Sequence, residues 1–161
     1  MDVTGRILKL LEKHEVPFRH LEHAETRTSE QSALVRGEPL RNGAKAIVLK
    51  VDETFMVFVT SAARRLDSGK IRSHFGARKS RFATPDELLE LTGLVPGSVP
   101  PFGPPVLDLP IFVDPTVFEN DRVAFNAGSL TESIILSSDD YRQVIDATVF
   151  RFTKDPAPDN A

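Results

Sequence analysis

The chain has no cysteine among its 161 residues, which excludes a disulfide framework, a thiol nucleophile and a cysteine-based zinc site. Nor is there an apolar run near the roughly 18 residues that a membrane span needs, so no membrane partner is expected. Residues 1–14 lack the basic start, apolar middle and small-residue cleavage site of a secretory signal, so the N-terminus reads as mature structure and the location as cytoplasmic by default. Positive charge is also short. Twenty Lys and Arg stand against 23 Asp and Glu, and a net charge of −3 argues against a broad grip on long nucleic acid, DNA included. The Gly-Lys-Ser/Thr ending of a phosphate loop and the Gly-x-Gly-x-x-Gly fingerprint are both missing. Neither Gly97-Ser98 nor Gly128-Ser129 forms a Gly-x-Ser-x-Gly elbow, so a nucleophilic serine is not expected. His20-x-x-His23 offers two metal ligands but no third at a fitting spacing; no metal and no cofactor is expected.

What is present fits one soluble domain, with 40% hydrophobic and 27% charged residues. Apolar spacing predicts a helix from about Asp2 to His14, ended by Val16-Pro17, and a short strand over Phe18–Glu22. Thr28 followed by Gln31 reads as a capping box opening a helix over Ser29–Arg36 that stops at Gly37. Lys45–Val51 and Thr54–Ser61 are β-branched and aromatic runs joined by Asp52-Glu53, a hairpin at the centre of a sheet. Further on, a helix over Asp67–Phe75, a strand over Ser80–Phe82 and a helix capped by Thr84 with Pro85 at its first position lead to Leu91. Strands follow at Leu109–Val113, Arg122–Asn126 and Ser133–Leu136, then a helix from Asp139-Asp140 and an edge strand over Thr148–Phe152. The order fits a single α+β domain, residues 1–153, with a mixed or barrel-like sheet and short surrounding helices; residues 154–161 read as a flexible tail.

Between Thr92 and Gly103 lie three glycines and three prolines, which can form neither helix nor central strand. This is a stiff, shaped loop, either a plain connection or a ligand cradle. Polar corners flank the apolar strands: Thr26–Gln31 at a helix start, Lys45 at a strand mouth after Asn42-Gly43-Ala44, and Asn126-Ala127-Gly128-Ser129 with Ser133 beyond. Lys45 could reach a bound anion or a polarised carbonyl, although a solvated lysine is the commoner occupant of such a position. Arg64, Arg65, Lys70 and Arg72 open a basic stretch that is either a phosphate-facing patch or a solvated helix face.

These pieces, in this order, resemble the YbaK family of aminoacyl-tRNA deacylases, similar to the editing domain inserted in bacterial prolyl-tRNA synthetases. The resemblance is carried by Ala44-Lys45-Ala46-Ile47-Val48-Leu49, by Leu66-Asp67 with Lys70-Ile71, by Gly76-Ala77 with Lys79, by Gly93-Leu94-Val95-Pro96-Gly97 followed by Pro101-Phe102-Gly103, and by Asp114 and Gly128. It spans the chain from the first helix to about Val144. It implies a free-standing editing hydrolase that cleaves the ester between a wrong amino acid and the terminal adenosine of a tRNA, with the acceptor end as partner and possible association with a synthetase. Lys45 then matches the family's essential lysine, in an electrostatic role. Gly93, Leu94, Val95, Pro96 and Gly97 are expected to hold the adenosine and aminoacyl end. Asn126, Gly128 and Ser133 are expected to line the pocket, and Thr28 its helix-side wall. Hydrolysis is expected to be substrate-assisted through the free ribose hydroxyl.

The pattern at Asn126 and Ser133 matches neither the cysteinyl-tRNA deacylases nor the histidine-bearing segment of alanine-specific members. A small amino acid such as alanine, serine, threonine or cysteine, on tRNA for proline or a related tRNA, is the expected substrate group. Two other readings stay open at this stage: a non-catalytic module that binds aminoacyl-tRNA or a nucleotide beside a synthetase, and a metal-dependent hydrolase.

Overall fold

A computed structural model describes residues 1–155; the rest of the expected tail, 156–161, lies outside the described residues. The chain runs α1 (Val3–Lys13), β1 (Arg19–Glu22), α2 (Ser29–Arg36), β2 (Ala44–Val51), β3 (Thr54–Ser61), β4 (Arg65–Leu66), α3 (Ser68–Phe75), β5 (Ser80–Phe82) and α4 (Pro85–Thr92). After the glycine-proline loop come β6 (Ile111–Val113), β7 (Arg122–Asn126), β8 (Glu132–Ser137), α5 (Ser138–Val144), β9 (Thr148–Val149) and β10 (Thr153–Lys154). Capping chemistry fixes both ends of α2 and the last residue of α3 where the sequence predicts them, while α4 runs one residue past the expected Leu91. Thr28 and Thr84 each close a complete capping box, and Gly37, Gly76 and Gly93 end their helices in the left-handed conformation.

The domain is α+β, as expected, but its strands close no barrel. A five-stranded mixed sheet has the order β5-β2-β3-β6-β9, an antiparallel three-stranded sheet the order β1-β8-β7, and β4 pairs with β10. Alternation along the central hairpin sorts its side chains into two cores. Ala44, Val48, Val57 and Val59 join the main core with α1, β7 and β8, while Leu49, Val51 and Phe58 face a second cluster with Ile71 and Phe152. Stacked and edge-on phenylalanines, Phe58 against Phe112 and Phe152, fill that second cluster.

Several boundaries shift for local reasons. β6 begins at Ile111 because Pro110 has no N–H to give; its carbonyl instead accepts from Val57. The expected strand over Thr148–Phe152 pairs only at Thr148–Val149, since Phe150 and Phe152 turn into the second core. Lys154, placed by composition in the tail, pairs with Arg65, and Asp155 forms an ion pair with Arg64. The last helix starts one residue before Asp139 because Ser137 caps it, accepting from the Asp140 N–H.

The incomplete closure creates the site. On one edge β2 pairs with β3 along its whole length. On the other, Gly43 bridges to Ala124 of β7 and β5 takes up only Leu49–Val51, so Ala44–Val48 stands in a gap between the two sheets.

Candidate functional site

A cleft of about 990 Å³ opens on that gap. Its floor is the uncovered edge of β2, Ala44–Val48; its walls are the start of α2 from Thr26 to Ser32, the tip of the glycine-proline loop at Pro96 and Gly97, Arg64–Leu66, and Phe82-Ala83 of β5. The two-residue connection at Asp52-Glu53 makes Val51 and Thr54 a hydrogen-bonded pair, so every second residue back from Val51 bonds to β3 and those between point the other way. Ala46 therefore turns its N–H and C=O into the cleft. The Val48 carbonyl, in the same phase, accepts from the Ala83 N–H at 3.0 Å.

Lys45 stands beside this edge with an exposed side chain and no hydrogen bond or ion pair among the described residues. Of the charged residues on the cleft wall, Arg27, Arg36, Lys45, Arg64 and Arg65 are cationic and Glu30 alone is acidic. Arg27 is paired with Glu25 and Arg64 with Asp155, which leaves Lys45 and Arg65 as the cations most available to a ligand. The cleft therefore favours an anionic or strongly polarised guest.

The glycine-proline loop is held by its own hydroxyls and by the core. Val95–Ser98 is a turn with Pro96 second and Gly97 third at φ +88°, closed by Ser98 N–H to the Val95 carbonyl at 3.1 Å. The Ser98 hydroxyl donates to the Val95 carbonyl at 2.8 Å and accepts from the Val95 N–H at 3.2 Å. Deeper in, the Tyr141 hydroxyl donates to the Pro101 carbonyl at 2.6 Å, and complete burial pushes that phenol's pKa far up. Phe102 packs edge-on against Phe125 and Tyr141.

One polar network ties loop, sheet and helix together. The Asn126 amide donates to the Gly97 carbonyl at 2.7 Å, while its oxygen accepts from Arg36 Nη2 at 2.9 Å. Arg36 also donates through Nε to Ser133 Oγ at 2.9 Å and through Nη1 to the Ala124 carbonyl at 3.3 Å. Burial lowers the Arg36 pKa from 12.5 to about 10, against the opposing pull of Glu38, so the guanidinium stays cationic at neutral pH. His23 Nδ1 lies 2.8 Å from the Ala24 carbonyl and must donate to it; in the neutral ring Nε2 then accepts from the Ser133 hydroxyl, 2.8 Å away. This serine-histidine contact is structural, because Ser133 is fully buried and its oxygen is already engaged by Arg36.

The aminoacyl-tRNA editing domain family matches residues 23–144. The chain belongs to this family. It is 35% identical over 155 residues to the multifunctional Ser/Thr-tRNA deacylase ProXp-y of Escherichia coli K12, covering 92% of each chain. It is also 30% identical over 118 residues to the proline–tRNA ligase of Shouchella clausii, covering 73% of this chain and 19% of the ligase. Among solved structures, a candidate trans-editing enzyme for prolyl-tRNA synthetase superposes with a TM-score of 0.80 at 26% identity, covering 96% of this chain and 98% of that one.

In this editing domain the cleft brings together Lys45, Thr28, Pro96, Gly97 and Asn126, with Arg64 and Arg65 on the wall. The other residues singled out from sequence sit behind it or elsewhere. Gly93, Leu94 and Val95 do not line the cleft, and their N–H groups are spent on Leu89 O, Thr92 Oγ1 and Ser98 Oγ. A cradle of N–H groups from Gly93 to Gly97 is thus not what the loop presents; its tip is. Ser133 supports Arg36 from below. Gly128, at φ +77°, lets α1 dock, since a Cβ there would lie 2.9 Å from Val3 Cγ1. Lys70 donates to the Thr153 carbonyl and Arg72 to Ser80 Oγ, both away from the cleft.

Two features of the site escape a sequence reading. Arg36, as a last-turn helix residue, looks like a favourable partner for the helix dipole, and nothing local announces its burial. Thr26 and Ser32, both buried, share a 2.8 Å hydroxyl contact on the cleft wall; their six-residue spacing across a helix cap carries no periodic signal. Among the described residues no group of three or more His, Asp or Glu side chains is placed to hold a metal, and no helix is long and apolar enough to cross a membrane.

Proposed function

We propose that this editing domain hydrolyses the ester of seryl- or threonyl-tRNA, acting as a free-standing chain on the acceptor end. The observation that carries the reading is the Lys45 ammonium, without a partner among the described residues, on the open strand edge of a cleft of about 990 Å³ that the Pro96–Gly97 turn also lines. The similarity to the Escherichia coli deacylase over nearly its full length supports the serine and threonine preference. So does the buried Thr26–Ser32 hydroxyl pair, which offers a hydroxylated side chain a partner that alanine could not use.

Water adds to the ester carbonyl carbon and the carbonyl oxygen takes the negative charge. Collapse then breaks the bond to the ribose oxygen, which leaves with the proton given up by the water. Lys45 supplies positive charge at the developing oxyanion or at the adjoining phosphate, and the outward N–H of Ala46 is a second donor along the same edge. The cleft wall has no histidine or cysteine, and Glu30 is its one carboxylate, so proton movement is assigned to the substrate's neighbouring ribose hydroxyl.

Amino-acid release from tRNAs carrying serine, threonine, alanine, cysteine or proline tests the reading, with the tRNA for proline included. Release of serine and threonine by the wild type, and a kcat/KM about 100-fold lower or worse for Lys45→Ala, is the expected result. Retained RNA binding with no release from any charge would overturn the hydrolase and leave a binding module.

A further inference from the structure

The deacylase reading uses Lys45, the loop tip and the hydroxyl pair but leaves Phe82 without a role. This residue is 62% exposed, whereas the other ten phenylalanines are buried or half-buried. It lies on the cleft wall, not on a remote surface. It is also firmly mounted. Phe82 pairs with Leu49, the following N–H of Ala83 bonds to Val48, and Arg81 donates to the Phe82 carbonyl at 3.2 Å while its guanidinium grips both carboxylate oxygens of Glu87 at 2.7 and 3.0 Å.

Leu49 is four residues along β2 from Lys45, an even step, so Phe82 and Lys45 emerge on the same face of the sheet, about 13 Å apart along the strand. A nucleoside carrying its ester bridges such a span. An exposed aromatic residue on a backbone held in the sheet, beside a wall whose charged residues are mostly arginines, is the combination that binds unpaired nucleotides, because every base has a face to stack and every linkage a phosphate to neutralise.

We propose that Phe82 is the stacking platform for a base at the single-stranded end of the RNA, with the exposed Arg65 on the same cleft wall to neutralise its phosphates. The proposal rests on the editing function but can fail separately. The chain has no tryptophan, so Phe82→Trp installs a single indole reporter at the site. Titration with an RNA oligonucleotide ending in CCA is expected to quench its emission saturably, and an oligonucleotide with abasic terminal positions is not. In parallel, Phe82→Ala and Phe82→Leu are expected to raise KM for the aminoacyl-tRNA about tenfold with kcat unchanged.

An absence of quenching, or wild-type KM in both variants, overturns the platform while leaving the deacylase intact. Base-dependent quenching of Phe82→Trp, together with a wild type that releases no amino acid, keeps the platform and overturns the deacylase.

Discussion

Arg36 shows how one buried cation can set the geometry of a site. Its five N–H donors are arranged as a rigid fork, and three of its contacts, Ser133 Oγ, the Ala124 carbonyl and Asn126 Oδ1, hold two strands and the side chain that grips the loop tip. Arg36→Met keeps an apolar stem but takes the guanidinium donors away from all three acceptors. It is expected to destabilise the fold by about 2–3 kcal/mol, read as a lower urea midpoint. Arg36→Lys should recover little, since one ammonium cannot span all three acceptors. Because Asn126 would also lose its anchor, KM should rise in Arg36→Met even well below its unfolding temperature. An unchanged KM there would reduce Arg36 to a purely structural role.

At the scale of elements, two glycines with similar backbone angles separate function from packing. Gly97, at φ +88°, has only Leu130 Cδ2 within reach of a Cβ, at 3.4 Å, an ordinary contact. Gly97→Ala therefore meets backbone strain alone, about 1–2 kcal/mol, but distorts the turn that lines the cleft with Lys45. Gly128→Ala adds to that strain a collision 2.9 Å from Val3, on the helix that covers the main core. Thermal unfolding should rank Gly128→Ala as the less stable, whereas deacylation assays on the folded proteins should rank Gly97→Ala as the less active. The reverse order in both would undo the assignment of the loop tip to the site.

The same contrast explains what a sequence can and cannot disclose about this domain. The hairpin, the helix caps at Thr28 and Thr84, the glycine stops at Gly37 and Gly76 and the stiffness of the glycine-proline loop are local, written in adjacent residues, and are legible there. Lys45 could be singled out because a lysine opening an apolar strand breaks a pattern. Arg36 could not, because its partners lie 88–97 positions away and only the packing of β7 and β8 over α2 buries it. The pairing of β4 with β10, two residues against two, was likewise invisible: no periodicity survives in so short a strand. The open edge of β2 is a property of what fails to pair with it, and an absence of that kind leaves no local mark.

For the molecule as a whole, the junction between its two larger sheets carries a titratable clamp. Glu38 is buried just past α2 and accepts from Arg122 of β7 through both carboxylate oxygens and from Asn42 ahead of β2, beside the Gly43–Ala124 bridge. Burial alone would raise its pKa from the ordinary 4.5, but hydrogen bonds from Arg122 and Asn42, with the charge of Arg122, hold it below that value. A carboxyl group that is more acidic folded than unfolded favours the folded state fully above pH 4.5, and this contribution fades as pH falls through the lowered native value. Glu38→Gln removes the charge at every pH. It should cost about 2 kcal/mol at neutral pH, with the gap to the wild type narrowing steadily below pH 4.5. Urea unfolding from pH 3 to 7 measures this directly. Parallel curves for the two proteins would mean that Glu38 titrates alike folded and unfolded, and that its clamp adds no charge-dependent stability to the junction.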